Sequence, residues 1–168
     1  MTYHIGCGEQ GVLTYEPYKS YLHPLWRFRT VPIARESSEA LWQKFLGLYE
    51  DGDFVGMDMA RKFIQMGMTR SERYANYKGG RKYVDGKERG NMIESESHKG
   101  KGEKEEGSKV FRAVWETCKA HEGYARLKAE FLAEQKAWER EYVKVGVNEE
   151  EVKPWMRRSR TKTSSEND

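Results

Sequence analysis

The sequence predicts a mainly α-helical domain of about five helices, with a short extended or small-sheet N-terminal region. Three observations carry this expectation. Apolar residues recur at three- and four-residue spacing over several stretches beyond residue 36, the period of a half-buried helix. One stretch, Phe54 to Met66, is apolar on most sides, as a helix buried on most sides must be. The first thirty residues instead hold short runs punctuated by Gly and Pro, one of them alternating with the period of a strand.

Taken in order, Gly11-Val12-Leu13-Thr14-Tyr15 reads as a short strand that stops before Pro17. Leu25 to Thr30 alternates, with Trp26 and Phe28 on one face and Arg27 and Arg29 on the other; Pro24 and Pro32 confine it to a sheet edge. A first helix covers Ser37 to Glu50, starting as early as Pro32, with Leu41, Trp42, Phe45, Leu48 and Tyr49 on its apolar face. Asp51-Gly52 ends it, and Asp53 stands where an N-cap belongs. The second helix, Phe54 to Met66, is the expected core helix, with Asp58, Arg61, Lys62 and Gln65 on a narrow polar stripe and Gly67 as its C-terminal stop. Thr69-Arg70-Ser71-Glu72 has the form of a capping box and predicts a short third helix, Arg70 to Tyr77, ending before Gly79-Gly80. Val84 to Gly107 has no apolar period and holds five glycines, five basic and seven acidic residues; it reads as a mobile polar insertion. Ser108 then caps a fourth helix to about His121, and Tyr124 to Val143 forms a fifth, the two making a hairpin on the core helix. Residues 1–145 are thus expected to be one domain and 146–168 a disordered charged tail.

Composition narrows the function classes. The 168 residues are 37% hydrophobic and 34% charged, with a net charge of only +3, so a basic signal has to come from local clustering. Two cysteines far apart do not make a disulfide framework and fit a reducing compartment. No apolar run reaches the roughly 18–20 residues of a membrane span, and the N-terminus has neither the basic nor the apolar region of a signal peptide. The expected location is the cytoplasm, with the nucleus as the alternative, and no membrane partner is expected.

Gly6-Cys7-Gly8-Glu9-Gln10-Gly11 matches the pattern GxGxxG. A dinucleotide site needs a strand before it and a helix after it; here extended chain follows. The glycines read as a tight turn, and a phosphate-cradling loop at Gly6, Gly8 and Gly11 is the alternative. His4, Cys7, Cys118 and His121 could supply zinc ligands if the two ends met, but Cys118 lies on an apolar helix face where a free cysteine simply packs. No metal and no cofactor is expected. Asp53 and Asp58 are accounted for by helix capping and by pairing with Arg61 or Lys62.

The strongest signal is basic. From Arg61 to Lys82 seven basic residues stand against the single acid Glu72, a local excess of +6. Tyr74, Tyr77 and Tyr83 interleave with them, and Arg70, Arg73 and Tyr77 are spaced to share a helix face. Basic side chains neutralise phosphates and tyrosine rings stack on exposed bases. The competing reading is a solvated rim paired with Asp51, Asp53 and the acidic insertion. A DNA-reading helix-turn-helix is excluded by Phe63, where a small residue is needed, and by Arg73 and Asn76 on what would be the inner face.

Several segments together carry a family resemblance: Ile5-Gly6 with Gly8-Glu9-Gln10-Gly11-Val12-Leu13, Glu16-Pro17-Tyr18-Lys19, Trp26-Arg27-Phe28-Arg29, and Asp53 through Lys62. They continue in Gln65-Met66-Gly67, Thr69-Arg70, Arg73-Tyr74-Ala75-Asn76 and Lys78-Gly79-Gly80-Arg81-Lys82-Tyr83. The chain resembles a family found in bacteria, phages and fungi that is described only as a cytoplasmic protein or a domain of unknown function. The resemblance covers about Tyr3 to Tyr83 and, more loosely, Ser108 to Tyr142. It implies no activity or cofactor. Members of that family carry more chain before the Gly-rich segment, so part of the family domain is expected to be missing here; the position of Cys7 is more often basic.

The functional expectation is a polyanion-binding module, with nucleic acid as the ligand. Arg27, Arg29, Arg61, Arg70, Arg73, Lys78, Arg81 and Lys82 would meet phosphates, Gly79 and Gly80 would let backbone approach them, and Tyr74, Tyr77 and Tyr83 would stack. One alternative is a small enzyme acting on a nucleotide or phosphorylated substrate, in which the Gly6–Gly11 loop and the basic cluster share a pocket. Another is a protein-interaction adaptor, which calls for an exposed apolar patch.

Overall fold

Helix α1 spans Tyr18–Leu22, α2 Val31–Glu50, α3 Phe54–Asn76, α4 Lys101–Ala120 and α5 Glu122–Lys144, with 3-10 turns at His23–Leu25 and Lys78–Gly80. These elements belong to a computed structural model that describes residues 3–6, 8–81 and 94–144. Expectations for Cys7, Lys82, Tyr83, the first part of the polar insertion and the charged tail lie outside the described residues. The chain divides into two compact units, Thr2–Ala129 and one beginning at Glu130. No helix among the described residues is long and apolar enough to cross a membrane.

The body, Thr2–Ala129, is built around α3, against which α4, α2 and the short α1 all pack. Phe54, Met57, Met59, Ala60, Phe63, Ile64, Met66 and Met68 of α3 are buried, together with Leu41 and Phe45 of α2 and Phe111 and Cys118 of α4. The expectation of a central helix buried on most sides therefore holds. Helix α2 starts at the early limit: Thr30 caps it by accepting from the Ile33 amide, and Pro32, which has no N–H to leave unsatisfied, sits in its first turn. Asp53 caps α3 by accepting from the Gly56 amide at 2.9 Å and also takes the Tyr18 hydroxyl at 2.6 Å.

Two expectations are corrected around α3. Gly67 does not stop a helix, because the two predicted helices are one, running from Phe54 to Asn76. The glycine serves packing instead: a Cβ there would stand 2.5 Å from the Phe111 ring, so its absence lets α4 lie against α3. The capping box is likewise unused. The Thr69 hydroxyl donates to the Glu9 carboxylate at 2.8 Å, and Glu72 pairs with Arg112 at 3.5 Å. Helix α4 also starts earlier than Ser108, at Lys101, and the Ser108 hydroxyl donates to Met68 O inside the α3–α4 seam. Helix α4 lies along the central helix as expected; of α5, the part within the body meets α3 through Tyr124.

The expected N-terminal sheet is absent: the described residues contain no strand. Residues 11–14 form turns, with Gly11 at φ +81 and its carbonyl accepting from the Thr14 and Tyr15 amides. Trp26 is extended and the alternation after it is real, with Trp26 and Phe28 half-buried and Arg27 and Arg29 exposed. Side chains, not a neighbouring strand, satisfy this backbone. Ser37 Oγ donates to Leu25 O and accepts from Arg27 N, and Lys104 Nζ donates to Phe28 O and Arg29 O. Alternation reports an extended chain with one face inward, and that does not require a ladder.

The contact at Gly67 decides between two opposed effects of Gly67→Ala. Helix propensity favours alanine by about 1 kcal/mol, whereas overpacking a close contact costs roughly 1–3 kcal/mol. The expected outcome in urea unfolding is a net loss of stability, reduced when Phe111→Leu is combined with it. A stabilised Gly67→Ala protein would show that the ring does not rest on this glycine.

Candidate functional site

Helix geometry places Asp58, Arg61 and Lys62 at positions i, i+3 and i+4, so the three side chains share one face of α3. That stripe faces inward. Asp58 is fully buried, and Lys62 and Arg61 are 1% and 8% exposed. Arg61 donates to Asp58 Oδ1 through Nε at 2.9 Å and Nη2 at 2.8 Å, and to Gln65 Oε1 through Nη1. Tyr124 OH donates to the same Oδ1 at 2.7 Å, and Tyr3 OH donates to Oδ2. The Lys62 ammonium stands 3.3 Å from Oδ2 and donates to Tyr3 OH and Gln10 O. One carboxylate thus gathers two cations and two phenols from the N-terminal segment, α3 and α5.

The electrostatics follow from these contacts. Burial by itself would raise the Asp58 pKa, but Arg61, the Tyr3 hydroxyl, Lys62 and the Tyr124 hydroxyl outweigh it and hold the carboxyl below its ordinary range. Burial, and then the Asp58 charge, push Tyr3 and Tyr124 well above the ordinary tyrosine value, so both remain donors at neutral pH. Arg61 is therefore engaged inside the protein and is not at the surface with the other predicted phosphate ligands. Pairing with Asp58 accounts for Lys62 in the same way.

The Gly6–Gly11 loop covers this junction. Gly8 and Gly11 have φ of +62 and +81, and a side chain at Gly8 would stand 3.7 Å from Gln65 Nε2. Glu9 accepts from Thr69, and Gln10 O accepts from Lys62. The loop is a turn fitted over α3. Cys118 is buried and His121 Nδ1 accepts from the Tyr124 amide at 3.2 Å, so each has a local role. Burial pushes the Cys118 thiol up to about 12, which leaves it protonated and unreactive.

The remaining predicted residues gather at the other end of α3. The helix ends at Asn76 because Tyr77 turns to extended backbone, and Gly79 and Gly80 follow at φ +69 and +68. That turn folds back on the helix. Arg73 Nε donates to Gly80 O at 2.7 Å, and a Cβ on Gly80 would lie 2.8 Å from the Tyr74 ring. Phe28 packs against Tyr74 with ring centroids 5.9 Å apart. Tyr74, in contact with both Phe28 and Gly80, is still 39% exposed. Arg27, Arg29, Lys78, Gly79 and Arg81 are exposed, Arg70 and Arg73 half-buried, and Gly80 buried. Tyr77 is buried and donates to Glu94, so it does not share a surface with Arg70 and Arg73. Among the described residues no salt bridge uses Arg27, Arg29, Arg70, Arg73, Lys78 or Arg81.

Two of the competing readings meet obstacles in this arrangement. Asp53 and Arg73 are at opposite ends of α3, roughly 30 Å apart along its axis, so Asp53 and its neighbour Asp51 cannot neutralise the cluster. Gly8 meets α3 at Gln65 and Gly80 meets it at Tyr74, roughly 14 Å farther along, so the glycine loop and the glycine turn do not converge on one pocket. Sequence reasoning missed Lys104, Phe28 and the two phenols on Asp58. Only the Asp58 junction had a signal, an acid and two bases at i, i+3 and i+4 in an otherwise apolar helix.

Fold and site define a helical domain with a buried ion cluster at its centre and a basic, aromatic face at the far end of its central helix. The chain belongs to the family described as "Domain of unknown function (DUF4385)", which matches residues 1–134. This confirms the resemblance to a family of unknown function. No curated protein and no solved structure matches the chain.

Removing one member of a buried ion pair costs about 3–5 kcal/mol, because its partner is left buried and unpaired. Asp58→Asn is expected to lose stability of that order near pH 7 in urea unfolding. A depressed carboxyl pKa stabilises the fold above the unfolded value of about 3.9 and ceases to do so as pH falls through the folded value. The gap between wild type and Asp58→Asn is therefore expected to start narrowing below about pH 4 and to go on narrowing as pH falls toward the folded value. A gap that stays constant from pH 7 to pH 3 would contradict an ionised Asp58.

Proposed function

We propose that the chain is a polyanion-binding module whose ligand is nucleic acid, bound at the face around Tyr74. One observation supports this above the rest: the Tyr74 ring is packed by Phe28 and Gly80 yet remains exposed, and the chain next to those two residues carries Arg27, Arg29, Lys78 and Arg81, exposed cations without a salt-bridge partner among the described residues. Each cation that neutralises a phosphate releases condensed counterions, and a rigid exposed ring offers a stacking surface to an unpaired base. A ring already immobilised loses little entropy when the base arrives. Arg73, bonded to Gly80 O, and Arg70 one turn earlier border the face, and Tyr77 and Gly80 support it from inside; Arg61 belongs to the Asp58 junction and takes no part.

The test is fluorescence anisotropy with a labelled single-stranded oligonucleotide at several salt concentrations. Binding is expected at low salt, with log K falling by about 0.7 per phosphate contact for each tenfold rise in salt. Arg29→Glu with Arg81→Glu should weaken binding and flatten that dependence. Tyr74→Ala should cost about 1–3 kcal/mol, the worth of one stacked base. No binding at low salt, or full affinity in the double charge reversal, would overturn the reading.

A further inference from the structure

Lys104 lies in the first turns of α4, within the stretch that the sequence marks only as polar. Its ammonium donates to Phe28 O at 2.6 Å and to Arg29 O at 2.7 Å. It also sits 5.1 Å from the centroid of the Phe28 ring and 5.7 Å from that of Tyr74. One side chain from α4 thus joins the irregular 26–30 segment to the aromatic residue at the end of α3. The segment has no ladder to hold it, so these two carbonyls depend on the lysine. On its other side Ser37 is the matching anchor, bonding Leu25 O and Arg27 N.

The cost of this arrangement indicates what it is for. Burial holds the Lys104 pKa below the ordinary lysine value; Glu103 opposes this, and Arg29 adds to it. Two cations, Lys104 and Arg29, are therefore held close despite their repulsion. A cation at that place serves structure through its donors, but the neighbouring Arg29 remains exposed and takes part in no salt bridge among the described residues. An anion arriving between them would relieve the repulsion.

We propose that Lys104 is a positioning residue for the nucleic-acid face: it clamps residues 28 and 29 against Tyr74, so that Arg27 and Arg29 stand beside the stacking ring. The proposal rests on the nucleic-acid reading given above. Phosphate contact falls to the arginines, while Lys104 contacts the carbonyls behind them.

The experiment is a double-mutant cycle of Lys104→Met and Arg29→Ala, read as affinity for the same labelled oligonucleotide, with circular dichroism to establish that each variant is folded. Lys104→Met is expected to weaken binding about tenfold, equivalent to about 1.4 kcal/mol. In that background Arg29→Ala should have little further effect, because a released segment no longer presents the arginine. Lys104→Arg keeps donors for both carbonyls and should bind close to wild type; it also carries the test if Lys104→Met does not fold. Full affinity in folded Lys104→Met, additive losses with Arg29→Ala, or failure of rescue by folded Lys104→Arg would overturn the clamp while leaving the binding face intact. Absence of binding by the wild-type chain would instead overturn the underlying reading.

Discussion

The structure depends on a single buried carboxylate. Asp58 stands in the second turn of the most enclosed helix and is met by Arg61, Lys62, Tyr3 and Tyr124. Burying a charge in a low-dielectric interior costs several kcal/mol per ion unless partners restore what water supplied. Those partners come from three separate parts of the chain, so satisfying the charge also fixes where those parts go. Tyr3 brings the N-terminal segment over α3, Gln10 O completes the Lys62 shell, and Tyr124 ties in the first turn of α5. An apolar core would hold these segments together less selectively, because hydrophobic contact has no direction.

The same junction shapes what α3 can present. Arg61 and Lys62 look in sequence like the start of a basic run, but they are spent on Asp58. The surface charge that remains is concentrated after residue 69, at the end of a helix held along its length by α2 and α4. There the turn through the two left-handed glycines folds Gly80 back against Tyr74, and Lys104 holds the carbonyls of residues 28 and 29.

Much of the helical core was legible in the sequence. Three- and four-residue spacing located α2, α4 and the buried half of α3, and Asp53 was recognisable as a cap. Gly67 was misread because glycine permits both a left-handed stop and a close helix approach, and only the partner, Phe111, tells which applies. The strand at Leu25–Thr30 was misread because alternation records facing, whereas a sheet needs a second chain; here Ser37 and Lys104 took the ladder's place. Of the candidate site, Lys78, Arg81 and Tyr74 came from the charge cluster of Arg61–Lys82 and Arg27 and Arg29 from the alternation of Leu25–Thr30, whereas the roles of Phe28 and Lys104 had no such signal. Their contribution depends on chain crossings that local pattern does not encode.

The proposed nucleic-acid face occupies one end of α3, away from the Asp58 junction. Amide chemical shifts of the isotopically labelled chain, followed through a titration with a short single-stranded oligonucleotide at low salt, test it most directly. Perturbations are expected to concentrate at residues 27–30 and 74–81, with residues 8–10 over the Asp58 junction nearly unmoved. Perturbations centred on the Gly6–Gly11 loop, or none at all at saturating oligonucleotide, would contradict that placement.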